Sequence, residues 1–178
     1  SAYVYRKSIT KYFDELYLKK HEENEMKVNS RIFGEIEIDD SKIINFPSGI
    51  IGFPEMTDFA IIYDEEKGKN APIRWMQSIQ EAEFALPVMD PLLVMSSYNP
   101  EVEDDYLLPL GEMKEDDALV LVTVSVPKDL QKMSVNLQAP IVINAETKKA
   151  AQIIVNTEKF PVKYYIYDIL QEMKKEGE

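Results

Sequence analysis

The chain has 178 residues, 45% of them hydrophobic, which is enough for one globular domain with a substantial core. It has no cysteine, which excludes disulfides and thiolate chemistry and fits a reducing compartment. Its net charge of -12, from 20 basic and 32 acidic residues, repels phosphate backbones and argues against direct nucleic-acid binding. Either the charge merely aids solubility, or it steers a basic protein surface towards the chain, more strongly at low salt. No apolar run approaches the ~20 residues of a membrane span, and no secretory signal pattern is present. The expected address is the cytoplasm, with no membrane partner.

Residues 1–25 stand apart from the rest. They balance five bases (Arg6, Lys7, Lys11, Lys19, Lys20) against five acids (Asp14, Glu15, Glu22, Glu23, Glu25), so residues 26–178 carry the whole excess. Ile9, Tyr12, Phe13, Leu16 and Tyr17 fall at helical spacing and predict an added amphipathic N-terminal helix. Such a helix should dock on its own body or on a neighbouring molecule. Met26 is a candidate native start, which leaves residues 1–25 as a foreign remnant, an upstream readthrough or a genuine added helix.

From residue 26 the pattern is mainly β. Val28, Ser30, Ile32, Gly34, Ile36 and Ile38 alternate with Asn29, Arg31, Glu35 and Glu37, as in a strand or hairpin with one wet face. Asp39-Asp40 predicts a turn. Further extended runs are 42–46, 59–63, 73–77, 83–88, 119–126, 140–144 and 152–155. The start of 119–126 is apolar on both faces and predicts a central strand. Short strands separated by Pro, Gly and Asp/Asn turns indicate an antiparallel barrel-like or sandwich-like single domain. At most one helical turn is expected over 112–117. A C-terminal helix is expected soon after Pro161, with Tyr165, Ile166, Ile169, Leu170 and Met173 as its stripe. The expected division is an extension over 1–25, a β domain over 26–163, and a helix and tail over 164–178.

Catalytic groups are scarce. The single histidine, His21, lies in the extension, so residues 26–178 lack both histidine and cysteine. Ser-His-Asp and Cys-His catalysis and the usual zinc sites are excluded there. No glycine-rich phosphate loop occurs, so no cofactor is expected. Glu101, Glu103, Asp104 and Asp105 are dense, but they lack the regular oxygen spacing and bend glycine of a calcium loop, so a solvated acidic loop and no metal are expected. Trp75, the sole tryptophan, is expected to pack in the core.

Four motifs in order then carry a resemblance. They are Phe46-Pro47-Ser48-Gly49-Ile50-Ile51-Gly52-Phe53-Pro54-Glu55, Trp75-Met76-Gln77-Ser78, Phe84-Ala85-Leu86-Pro87-Val88-Met89-Asp90-Pro91, and Asn136-Leu137-Gln138-Ala139-Pro140-Ile141-Val142-Ile143-Asn144. Across nearly all of 26–163 the chain resembles the flagellar assembly factor FliW family. Its motif positions here are Phe46, Gly49, Gly52, Phe53, Gln77, Asn136, Leu137, Ala139, Pro140 and Asn144. Pro54, placed before Glu55, departs from the family pattern, and residues 1–25 have no counterpart in it. The resemblance implies a non-enzymatic regulator with two partners, flagellin and the RNA-binding repressor CsrA. It also implies antagonism of CsrA from a site separate from the RNA groove, whereas the charge alone suggests phosphate mimicry. The alternative reading is a small-ligand or flavin-type split β-barrel.

Two readings stand for the 49–53 loop: an exposed apolar contact, or a tight turn with Phe53 plugging the interior. Asn136 and Gln138 are expected to satisfy turn backbone groups. The interface candidates are the acidic and aromatic residues from Tyr98 to Tyr106, because loops carry binding and Tyr is enriched at interfaces, with Glu101, Glu103, Asp104, Asp105 and Tyr106 as the candidate partner-binding residues.

Overall fold

The computed structural model describes residues 2–3, 25–68, 70–114, 116–156 and 158–177. The helix expected around residues 9–17 lies outside them. Of the extension, Ala2–Tyr3 forms a short strand, β1.

The alternation after residue 25 becomes a hairpin, β2 (Glu25–Ser30) and β3 (Gly34–Asp39), with Met26 opposite Ile38 and Val28 opposite Ile36. Ile32 falls in the turn, where the Ser30 hydroxyl accepts the amides of Ile32 and Phe33. Val28 and Ile38 face inward onto Ala60, while Asn29, Glu35 and Glu37 stay in water.

The remaining strands are β4 (Ile44–Asn45), β5 (Asp58–Ile62), β6 (Arg74–Ser78), β7 (Ala85–Met89), β8 (Glu101–Val102), β9 (Ala118–Ser125), β10 (Ser134–Val135), β11 (Ile141–Asn144), β12 (Ala150–Gln152) and β13 (Tyr164–Tyr165). The principal sheet runs β12-β11-β9-β7-β6-β5-β4, and every pair in it is antiparallel. β10 continues off β9 and pairs β13. The two ends of this path meet at one isolated bridge, between Asn45 of β4 and Lys149, the residue before β12. One residue pair is too little to make a ladder, so the sheet does not close into a barrel.

The central strand is where the sequence pattern predicts it. On β9, Leu119 and Leu121 point to one side with Ile141 and Ile143 of β11, into a core with Phe46, Phe59, Met76 and Val88. Val120, Val122, Val124 and Val142 point to the other side, onto Met89, Tyr98, Leu110, Leu137 and Ile166. The period-2 geometry of a strand with both faces apolar thus builds two cores around one ladder. Each such fully buried side chain contributes about 1.5–3 kcal/mol.

Helical segments differ from expectation. There is no helix among the described residues of 112–117, where Asp117 closes a turn on Lys114 and Asp116 has a left-handed φ of 69°. A four-residue helix, α1 (Asp104–Leu107), forms instead within the segment expected to be an acidic loop. The C-terminal helix, α2 (Tyr167–Glu176), starts only after β13 and seats Leu170 on the second core. The strand expected over 152–155 begins earlier, at Ala150. Its pairing is prolonged by backbone bonds from Ile153 to Pro140 and from Val155 to Gln138.

Candidate functional site: an anchored acidic segment

The segment from Tyr98 to Gly111 alternates buried anchors with exposed acids. Tyr98 is buried, its ring edge-on to Phe160 at 4.9 Å, and its hydroxyl donates to the Leu137 carbonyl at 2.8 Å. It is therefore an anchor and no part of an exposed surface. Val102 and Leu110 are also buried. Between these three points Glu101, Glu103, Asp104, Asp105 and Tyr106 are all exposed, as are Leu108 (72%) and Pro109. Asp104 and Asp105 fall in the first turn of α1, where partial positive charge on the free amides favours carboxylates.

The far end is clamped harder. Asn144 is fully buried at the end of β11, and its amide nitrogen donates to the carbonyls of Leu110 (2.9 Å) and Glu112 (3.1 Å). Its oxygen accepts the amides of Glu146 (3.0 Å) and Thr147 (3.3 Å), turning the chain after the strand. The Thr147 hydroxyl adds a 2.7 Å bond to the Leu110 carbonyl. Gly111, at φ 86°, sits so close that a Cβ would lie 3.0 Å from the Thr147 methyl.

The acidic segment is therefore held at both ends by the Asn136–Asn144 motif, through the carbonyl of Leu137 and the side chain of Asn144. Sequence reading separated the motif from the site, and the fold joins them. The rest of the motif behaves as expected. The Asn136 oxygen accepts the amides of Gln138 (3.0 Å) and Ala139 (3.2 Å), Leu137, Ala139 and Pro140 are buried, and Pro140 enters the strand whose centre is Ile141–Ile143. Gln138 is the exception: it takes part through its backbone carbonyl, which accepts the Val155 amide, and not through its side chain.

The 46–55 loop answers the question of what plugs the interior. Phe46 does, fully buried and edge-on to Phe59 at 5.4 Å. Phe53 does not: it is 46% exposed, lying against Phe84 at 4.9 Å, and Ile51 beside it is 48% exposed. The loop turns out because Gly49, at φ 70°, lies where a Cβ would overlap the backbone of Pro54, and because Ile50 and Phe53 bridge each other. Gly52 needs glycine for its φ of 86° alone, with open space where a side chain would go. The buried residues of this loop belong to the first core and the anchors of the acidic segment to the second, so the two surfaces lie on opposite sides of the β9–β11 ladder.

Gln77 is structural: buried on β6, its amide donates to the carbonyls of Ser78 and Ala82, both at 3.1 Å, shaping the 78–84 turn. Trp75 is only half-buried, across from Ile62 and Pro87, because the inward positions of β6 are taken by Arg74 and Met76. Arg74 is a buried cation that sequence reading missed. Its guanidinium carbon lies 5.5 Å from the centre of the Tyr63 ring, and burial lowers its pKa from the ordinary arginine value, partly offset by Tyr63. No group of three or more histidine, cysteine or carboxylate side chains placed to hold a metal occurs among the described residues. None of their helices is long and apolar enough to cross a membrane.

The family model described as FliW protein matches residues 27–166, which takes in the hairpin, the sheet, the acidic segment and all four motifs. The chain belongs to the FliW family. The flagellar assembly factor FliW of Lachnospira eligens is 45% identical over 147 residues, covering 82% of this chain and 97% of that one. The one from Lachnoclostridium phytofermentans is 41% identical over 155 residues, covering 86% and 99%. A crystal structure of the flagellar assembly factor FliW superposes with a TM-score of 0.72 at 27% identity, covering 79% of this chain and 96% of that one. β1 precedes the stretch matched to the FliW model, and α2 follows it.

Proposed function

We propose that this FliW-family chain is a stoichiometric, non-enzymatic regulator acting in the cytoplasm, which binds flagellin and, when free of it, captures the repressor CsrA. The observation that carries this reading is the acidic segment. Five exposed residues, four of them carboxylates, are presented on a backbone pinned to the core at Tyr98, Val102 and Leu110. Such a surface is complementary to a basic RNA-binding protein and unsuited to RNA itself. We assign CsrA capture to Glu101, Glu103, Asp104, Asp105 and Tyr106, on a domain running from residue 26 to 163.

Free protein at about 100 times its dissociation constant would bias CsrA to the bound form by about 2.7 kcal/mol. Relief of repression then requires coupling between the capture site and the RNA groove, since tight binding by itself shifts no RNA equilibrium. The test is size-exclusion chromatography of the purified protein with CsrA and flagellin from the same source. The expected result is a complex with each, and loss of CsrA from its complex as flagellin is added. Formation of neither complex would reject the reading.

A further inference from the structure

β8 owes its strand pairing to the start of the chain. Ala2 lies opposite Val102 and Tyr3 opposite Glu101, antiparallel, and β8 has no other strand partner among the described residues. A strand edge without a neighbour is a template for any extended segment, and peptide partners use such edges by adding a strand. Here the edge lies inside the acidic segment. Val102 is turned into the core, while Glu101 and Glu103 flank it in water and α1 begins at the next residue.

We propose that the Glu101–Val102 edge is a strand-acceptor site, that the chain's own N-terminal arm is its built-in occupant, and that this occupancy closes the acidic segment to an extended basic segment of a partner protein. The proposal deepens the reading above and rests on it for the identity of the competitor. A two-residue ladder is weak enough to open at equilibrium. The occupant belongs to the same chain as the edge, so its closure does not depend on protein concentration. If the arm is closed in about nine molecules of ten, a partner binds about tenfold more weakly than it would to the open form.

The test compares the full chain with its Ala2→Pro/Tyr3→Pro variant, in which neither position can donate a backbone hydrogen bond. Hydrogen exchange of the amides at Glu101 and Val102 is read first, then affinity for CsrA as the basic probe. The expected result is exchange about tenfold faster in the variant and binding tighter by a similar factor, with the thermal unfolding of the body unchanged. Equal exchange in both chains overturns the arm as occupant. Protection that falls on dilution assigns the site to a second copy's arm and overturns the built-in form. Faster exchange with unchanged affinity overturns the gating. Faster exchange with no binding of CsrA by either chain keeps the edge and its occupant, but overturns the gating together with the functional reading of the acidic segment.

Discussion

Asn144 illustrates how much a single buried amide can decide. It uses both ends of its side chain, two donor bonds to the acidic segment and two acceptor bonds to its own turn. Replacement by alanine removes all four bonds and leaves the Glu112 carbonyl and the Glu146 and Thr147 amides without this partner, while the Leu110 carbonyl keeps the Thr147 hydroxyl. A buried group left unsatisfied costs about 1–3 kcal/mol, so Asn144→Ala should lose at least that much in a denaturant titration. Asn144→Asp keeps the acceptor side and turns the donor side into a carboxylate facing two carbonyls. It should be no more stable than the alanine variant, and an aspartate near wild-type stability would show that the donor bonds matter little. The terminal asparagine was visible in the sequence as the end of a strand. Its clamp was not, because Leu110 lies 34 residues away and no local pattern encodes that contact.

At the scale of elements, legibility followed length. The eight residues of β9 and the six-residue strands of the hairpin carried enough alternation to be read with their faces. β8, β10 and β13 have two residues each, too short to show a period, and they exist because tertiary neighbours hold them. α1, at four residues, is shorter than one amphipathic repeat. Its acids dominated the reading, and a loop was expected where a helical turn forms. The exposed acids of the segment were legible from charge density, but its anchors were not, since Tyr98 looked like one more exposed aromatic. Its hydroxyl bond to Leu137 supplies the test. Tyr98→Phe removes that bond while keeping the ring against Phe160. A loss of about 0.5–1.5 kcal/mol is expected, together with faster hydrogen exchange confined to the stretch from 98 to 106. Uniformly faster exchange across the sheet would mean that Tyr98 supports the global fold and does not specifically hold the acidic segment.

For the whole molecule the question is whether capture of a basic partner needs this segment or only the net charge. Replacing Glu101, Glu103, Asp104 and Asp105 with alanine removes four acids, taking the charge from -12 to -8. Replacing Glu37, Glu65, Glu66 and Glu81, which are exposed on other parts of the chain, makes the same change. Long-range steering depends on the summed field and is similar for the two variants, whereas contacts made within a Debye length of about 8 Å at physiological salt differ between them. If the segment is the contact, the first variant should bind CsrA at least tenfold more weakly, with a flatter dependence of affinity on salt. The second should lose little beyond a slower association rate. The comparison belongs at two ionic strengths, because screening removes the shared long-range part and leaves the local one. Equal losses in the two variants would mean that charge alone recruits the partner. The contact would then have to be sought elsewhere, first at the exposed Ile51 and Phe53 on the opposite side of the β9–β11 ladder.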